Sequence, residues 1–171
     1  MTVSDTEFRS TLGRFATGVT VVATLVEGAP VGLTVNAFAS VSLDPPLVMI
    51  SLDRRSRLYS AITRTGFFAA SILAADQDEL SRRFAGQTAD RENRFRDVPW
   101  RAEATGAPIL DGVVAWVDCR VEAMYPGGDH TVILGRVEAL DVYPGEPLLY
   151  YRGRYGRLDM TAGAPLSKNT P

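Results

Sequence analysis

"VVAWVDCRVEAMYPGGDHTVILGRVEALDVY", residues 113–143, is the stretch from which the fold is read. From 113 to 125, Val113, Ala115, Val117, Cys119, Val121, Ala123 and Tyr125 fall on one face, and Asp118, Arg120 and Glu122 on the other. A period of two belongs to a β-strand, so the apolar set, Cys119 included, is expected to point inward. "PGGD" then turns the chain, and residues 130–143 form the return strand. The expected element is a long antiparallel hairpin, with His130, the only histidine, just past its turn.

Working outward, "GVTVVATLV" (18–26) and "VGLTV" (31–35) are β-branched runs separated by "EGAP", a second hairpin. "LVMISL" (47–52), bounded by Pro45, Pro46 and Asp53, is a continuous apolar run typical of a buried strand, as is "FFAASIL" (67–73). Between them, "LYSAITRTG" (58–66) is a short helix stopped by Gly66. "SDTEFRSTLGRFA" (4–16) opens the chain as an amphipathic helix with a Ser4/Glu7 capping box and Phe8, Leu12 and Phe15 at helical spacing; Asp76 with Glu79 suggests a second such box ahead of "LSRRFAG". "NAFASVSLDPP" (36–46) and residues 87–106 lack a clear period and read as loops, while "PGEPLLYYRGRYGRL" (144–158) supplies a last strand or two before the tail "TAGAPLSKNTP". Six or seven strands joined mostly by hairpins, with few helices, point to a closed barrel rather than alternating βαβ units.

The chain has 171 residues, 46% hydrophobic and 22% charged, and a net charge of −2, which suits one domain with no pull toward nucleic acid or an anionic membrane. A lone cysteine excludes an internal disulfide, one Cys with one His cannot make the usual zinc set, and no metal is expected. The N-terminus carries charge where a signal peptide needs an apolar core, and no apolar run reaches about 18 residues. The expectation is a soluble, cytoplasmic protein.

No G-x-G-x-x-G follows a strand, and no P-loop or G-x-S-x-G motif occurs. "SLDRRSRLYSAI" (51–62) does gather Ser51, Ser56, Arg54, Arg55 and Arg57 around a helix start, where hydroxyls, guanidinium forks and free N–H groups can hold a phosphate. A solvated basic turn is the plain alternative. "GLTVNAFASVSLDPP" exposes amide and small residues suited to the edge of a flat heterocycle, or is a connecting loop. His130 either caps the hairpin or contacts an anion or a nicotinamide amide. Tyr150, Tyr151 and Tyr155 either pack a strand or stack on a ligand.

Taken in order, "FRSTLGRFATGVTVVAT", "GLTVNAFASVSLDPPLVMISL", "FFAASILAADQDELSRRFAG", "GDHTVILGRVEAL" and "LLYYRGRYG" resemble the short-chain flavin reductases that supply reduced flavin to two-component monooxygenases, over about residues 8–157. The resemblance implies a mainly β protein with a few short helices, a flavin-binding split β-barrel in one domain spanning 1–171. It implies a homodimer that oxidises NADH or NADPH, reduces FMN or FAD, and serves a flavin-dependent monooxygenase. Carried over by position, Thr34, Val35, Asn36, Ala37 and Ser40 line the isoalloxazine; Ser51, Leu52, Asp53, Arg54, Arg55, Ser56 and Arg57 hold the phosphate; and Phe84, Ala85 and Gly86 touch the flavin. His130, in the G-D-H motif, faces the nicotinamide with Tyr150, Tyr151, Arg152 and Gly153. Two rivals share the barrel: a non-catalytic FMN-binding module, and an oxidase of the pyridoxamine-phosphate type, against which "GDH" and "YYRGRYG" speak.

Overall fold

The computed structural model describes residues 3–88 and 93–159; the tail and residues 89–92 of the expected middle loop lie outside them. The elements run α1 (Asp5–Leu12), β1 (Thr17–Gly18), β2 (Thr20–Val26), β3 (Ala29–Val35), β4 (Phe38–Leu43), β5 (Pro46–Asp53), α2 (Arg57–Thr65), β6 (Phe67–Ile72), α3 (Asp78–Phe84), β7 (Trp100–Arg101), β8 (Ile109–Leu110), β9 (Ala115–Gly127), β10 (His130–Val142), β11 (Leu149–Tyr151) and β12 (Arg154–Gly156). Over the described residues the protein is mainly β with three short helices.

Seven strands form one antiparallel sheet in the order β3-β2-β6-β9-β10-β5-β4, with β1, β11 and β12 in a small sheet of their own. The ladder ends at β3 and β4, which do not bond to each other, so the expected closed barrel is corrected to a split one. The β9–β10 hairpin is the spine, because its two 13-residue strands pair along their whole length while β6 and β5 flank them at different levels.

Alternation along β2 and β6 feeds two cores. Val21, Ala23 and Ala69 face a cluster with Phe84, Ile109, Leu110 and Trp116, while Val22, Phe68 and Ala70 face Ile50, Leu52, Leu58, Ile62, Cys119 and Ile133. A sheet covered on both faces explains why these strands read as continuous apolar runs.

It also overturns one reading of the hairpin. Asp118, expected on the wet face, is fully buried: the Thr105 N–H donates to one carboxylate oxygen at 2.8 Å and the Thr105 hydroxyl donates to the other. The segment leading to β8 covers that face, and a buried carboxylate requires such donors. Cys119 is inward as expected; burial, with Asp118 and Glu138 adding, pushes its thiol up to about 12. Tyr125, expected inward, is exposed where the hairpin outruns its cover. Gly135 sits at a bulge on β10, where a Cβ would lie 2.5 Å from the Phe68 ring, so a side chain there would collide with the core.

Other corrections are local. "NAFASVSLDPP" is no simple loop but holds β4, bonded to β5 from Phe38↔Ile50 to Leu43↔Pro46. The "EGAP" turn shrinks to Glu27 and Gly28, both at positive φ, with Ala29 and Pro30 already in β3. The Ser4/Glu7 capping box forms, whereas Asp76 and Glu79 make none: Gln77 is the N-cap of α3, and its side chain instead accepts from Ala74 N–H. Residues 93–106 contain β7, and Phe95 is core, its ring edge-on to Phe84 at 4.8 Å.

Candidate flavin and nicotinamide site

The register of β5 on β10 assembles the site, because it pairs Asp53 with His130, Leu52 with Thr131 and Ser51 with Val132. The phosphate segment at the end of β5 and the histidine at the start of β10 are thereby neighbours, although 77 residues separate Asp53 from His130 by number (130 − 53). The Ser51 N–H donates to the Ala37 carbonyl at 3.1 Å, which brings the end of β3 to the same corner.

The three arginines, indistinguishable by spacing, differ in what they hold. The Arg54 N–H donates to the Asp129 carbonyl at 3.2 Å and its guanidinium donates to the Gly128 carbonyl, so Arg54 fastens the β9–β10 turn to the end of β5. Arg55 closes on Asp53, guanidinium to carboxylate at 2.8 Å, with its own N–H on the same group; these bonds pull the Asp53 carboxyl down to about 2. Arg57, exposed at the first position of α2, has no ion pair or side-chain hydrogen bond among the described residues.

Ser56 is the N-cap of α2, and its Oγ accepts from the Tyr59 N–H at 3.1 Å, which leaves the hydroxyl proton free to donate. The Arg57 and Leu58 amides belong to the first helical turn, where no intrahelical acceptor exists. Two amides, a hydroxyl and a free guanidinium at the positive end of a helix dipole match the oxygens of a phosphate monoester, so the donor set fits FMN. Leu52 and Val35 are core residues that hold this corner without facing it.

On the heterocycle side, the Thr34 hydroxyl donates to the Ser81 carbonyl at 2.7 Å, pinning the end of β3 to α3. Asn36 Nδ2 donates to Thr17 Oγ1 at 3.2 Å, leaving the side-chain Oδ1 unused among the described residues, and Ala37 is exposed. Ser40 lies further along β4, also exposed. Phe84 departs from its expected role: fully buried against Phe95, its ring has no free surface, and only Ala85 and Gly86 of that trio reach the outside.

His130 is half exposed, its Nδ1 2.8 Å from Asp129 Oδ1; the same contact holds the Asp129 carboxyl below the usual carboxylate range. With Nδ1 engaged, Nε2 is the nitrogen left to meet a ligand. Tyr150, Arg152 and Gly153 lie with Asn36 and Thr17 along one groove of about 630 Å3, so the structure does bring part of the expected nicotinamide set beside the flavin set. Tyr151, the neighbouring residue of β11, is exposed. The same groove is lined by Phe8, Arg9 and Phe15, which no motif singled out as site residues. Tyr155 lies behind it, hydroxyl to hydroxyl with Ser81 at 2.9 Å and edge-on to Tyr150.

Comparison with known proteins identifies the family. The family described as flavin reductase like domain matches residues 12–159. The chain is 40% identical over 166 residues to the reductase subunit HsaB of a flavin-dependent monooxygenase from Rhodococcus jostii, covering 95% of this chain and 84% of that one. It is 44% identical to an NADH-dependent flavin reductase from a Rhodococcus species, covering 92% and 89%. Among solved structures, an NADH:FAD oxidoreductase from Streptomyces globisporus, in complex with NAD and FAD fragments, superposes with a TM-score of 0.85 at 36% identity, covering 95% of this chain and 100% of that one.

Proposed function

The chain belongs to the family of flavin reductase-like domains, and on that premise we propose that it is an NAD(P)H:flavin oxidoreductase that reduces FMN or FAD and delivers the reduced flavin to a flavin-dependent monooxygenase. The observation that carries the reading is the β5–β10 register, which sets the donor-lined start of α2 close to a half-exposed histidine.

Ser56, Arg57 and the first amides of α2 hold the phosphate, with Ser51 and Asp53 shaping the strand end that leads to them. Asn36 and Ala37 meet the edge of the isoalloxazine, supported by Thr34, with Ser40, Ala85 and Gly86 at its margin. His130, steadied by Asp129, offers Nε2 to the nicotinamide amide, and Tyr150, Tyr151, Arg152 and Gly153 hold the rest of the dinucleotide. The bound flavin supplies the hydride acceptor, so the protein needs positioning groups and no base of its own.

Purified protein should oxidise NADH or NADPH only when FMN, FAD or riboflavin is added. Anaerobic titration followed at the flavin absorbance band measures this, and nucleotide oxidation without flavin would refute it.

The reading includes a single domain and a homodimer. Leu43 on β4 and Leu140 and Val142 on the free end of β10 are exposed large hydrophobics, an arrangement that a second copy would cover. Light scattering at micromolar concentration should give twice the 18.6 kDa chain mass; a monomer would overturn that part. Among the described residues no helix is long and apolar enough to cross a membrane. A lone, buried, unpaired Cys119 supports a cytoplasmic setting.

A further inference from the structure

The loop that carries the site histidine is held by one side chain. β9 ends at Gly127 and β10 begins at His130, so Gly128 and Asp129 are the whole hairpin loop, with Gly128 turning the corner at φ 67°. Pairing with Asp53 and Gly127 fixes the backbone of His130, but its ring is oriented by the Asp129 carboxylate, and Asp129 lies outside the ladder. Gly127, Gly128 and Asp129 are all exposed, and a Cβ on Gly128 would meet nothing within 4 Å, so packing does not hold the loop. Arg54 does: its N–H donates to the Asp129 carbonyl at 3.2 Å and its guanidinium donates to the Gly128 carbonyl, which engages both carbonyls of the loop.

Arg54 is itself placed by the phosphate turn, where the Ser56 N–H donates to the Asp53 carbonyl at 2.9 Å. Three neighbouring arginines thus divide their work. Arg57 is free at the start of α2, Arg55 is closed on Asp53, and Arg54 reaches toward the nicotinamide half of the site, with no carboxylate partner among the described residues. On the reductase reading above, we propose that Arg54 is a positioning residue for hydride transfer: it acts through the loop and Asp129 to hold the His130 ring toward the nicotinamide, and takes no part in holding the flavin phosphate.

Arg54 is exposed, so Arg54→Ala is expected to fold, and it tests the assignment with FMN saturating. Stopped-flow reduction of flavin by NADH should slow about tenfold with a raised KM for NADH, since a fraction of the misplacement that costs about 100-fold suffices. FMN affinity, riboflavin affinity and melting temperature should stay near wild type. Because the effect passes through His130, adding Arg54→Ala to His130→Ala should slow reduction further by less than about twofold. His130 is the only histidine, so its ring Cε1–H resonance can be read directly in the flavin-free protein, and it should shift or broaden in Arg54→Ala. Rate losses that add in the double variant, or an unmoved His130 resonance, overturn the proposal. So does a loss of FMN over riboflavin affinity with the KM for NADH unchanged, which returns Arg54 to the phosphate, or a lower melting temperature with unchanged kinetics, which makes it a structural tie only. If the resonance moves but wild type oxidises no NADH with flavin present, the reductase reading fails and the Arg54 clamp on His130 stands.

Discussion

His130→Ala should slow reduction of bound flavin by NADH about 100-fold and raise KM for the nucleotide, while leaving the melting temperature and the flavin affinity near wild type. The backbone of residue 130 is held by the sheet, opposite Asp53 on β5 and Gly127 on β9, and alanine keeps that pairing. The lost imidazole is half exposed and touches Asp129, itself exposed, so the stability cost is expected to stay within about 1 kcal/mol. A nicotinamide released from Nε2, by contrast, drifts relative to its acceptor, and about 1 Å of misplacement in a transfer geometry can cost about 100-fold. Stopped-flow reduction at saturating and limiting nucleotide separates the two. If rate and KM both stay at wild-type values while the protein is less stable, His130 only closes the hairpin.

Arg57→Ala is the second large effect. FMN binding should weaken about tenfold or more, the size of a lost charge-assisted phosphate contact of about 1.5–3 kcal/mol, and riboflavin binding should not change. Arg55→Ala should matter far less, because that guanidinium is already closed on the Asp53 carboxylate. Asp53 itself, down at about 2, stays ionised across any working pH, so the Arg55 pair does not open as pH falls from neutrality to about 4. Dissociation constants for FMN and riboflavin, from quenching of flavin fluorescence, decide the matter. Equal losses of both flavins in Arg57→Ala, or a larger FMN loss in Arg55→Ala, would remove Arg57 from the phosphate site.

What could be read from the chain was whatever local period and turn chemistry determine. The β9–β10 hairpin, the β2–β3 hairpin and the stop of α2 at Gly66 are of this kind. β4 escaped because small and polar residues followed by two prolines carry little strand signal; only β5 alongside makes Phe38–Leu43 a strand. Asp118 was misplaced because alternation says which residues share a face and not whether that face is wet; its cover, from Thr105 onward, comes from another part of the chain. The roles of Arg54, Arg55 and Arg57 depend on partners as distant as Gly128, which spacing does not encode. Phe84 was drawn into the site by its neighbours in sequence, although the last residue of a helix can face the core while the exposed Ala85 and half-buried Gly86 after it turn outward. Arg9 and Phe15 went unnoticed as site residues because the junction of α1 with the β11–β12 turn is a tertiary contact.

The pairing of β5 with β10 also limits how this protein can change in length. Seven consecutive partners, Leu47↔Arg136 through Asp53↔His130, stand between the β4–β5 turn and the phosphate segment. One residue inserted or deleted among them would carry that segment about 3.3 Å along β10 and turn every later β5 side chain to the opposite face. Two residues would restore the faces but leave the phosphate donors a full repeat away from His130. Drift by insertion or deletion is therefore expected to collect beyond Val142, where β10 has already parted from β5, and to be purged between Leu47 and Asp53, where point substitutions remain the only tolerated currency of change.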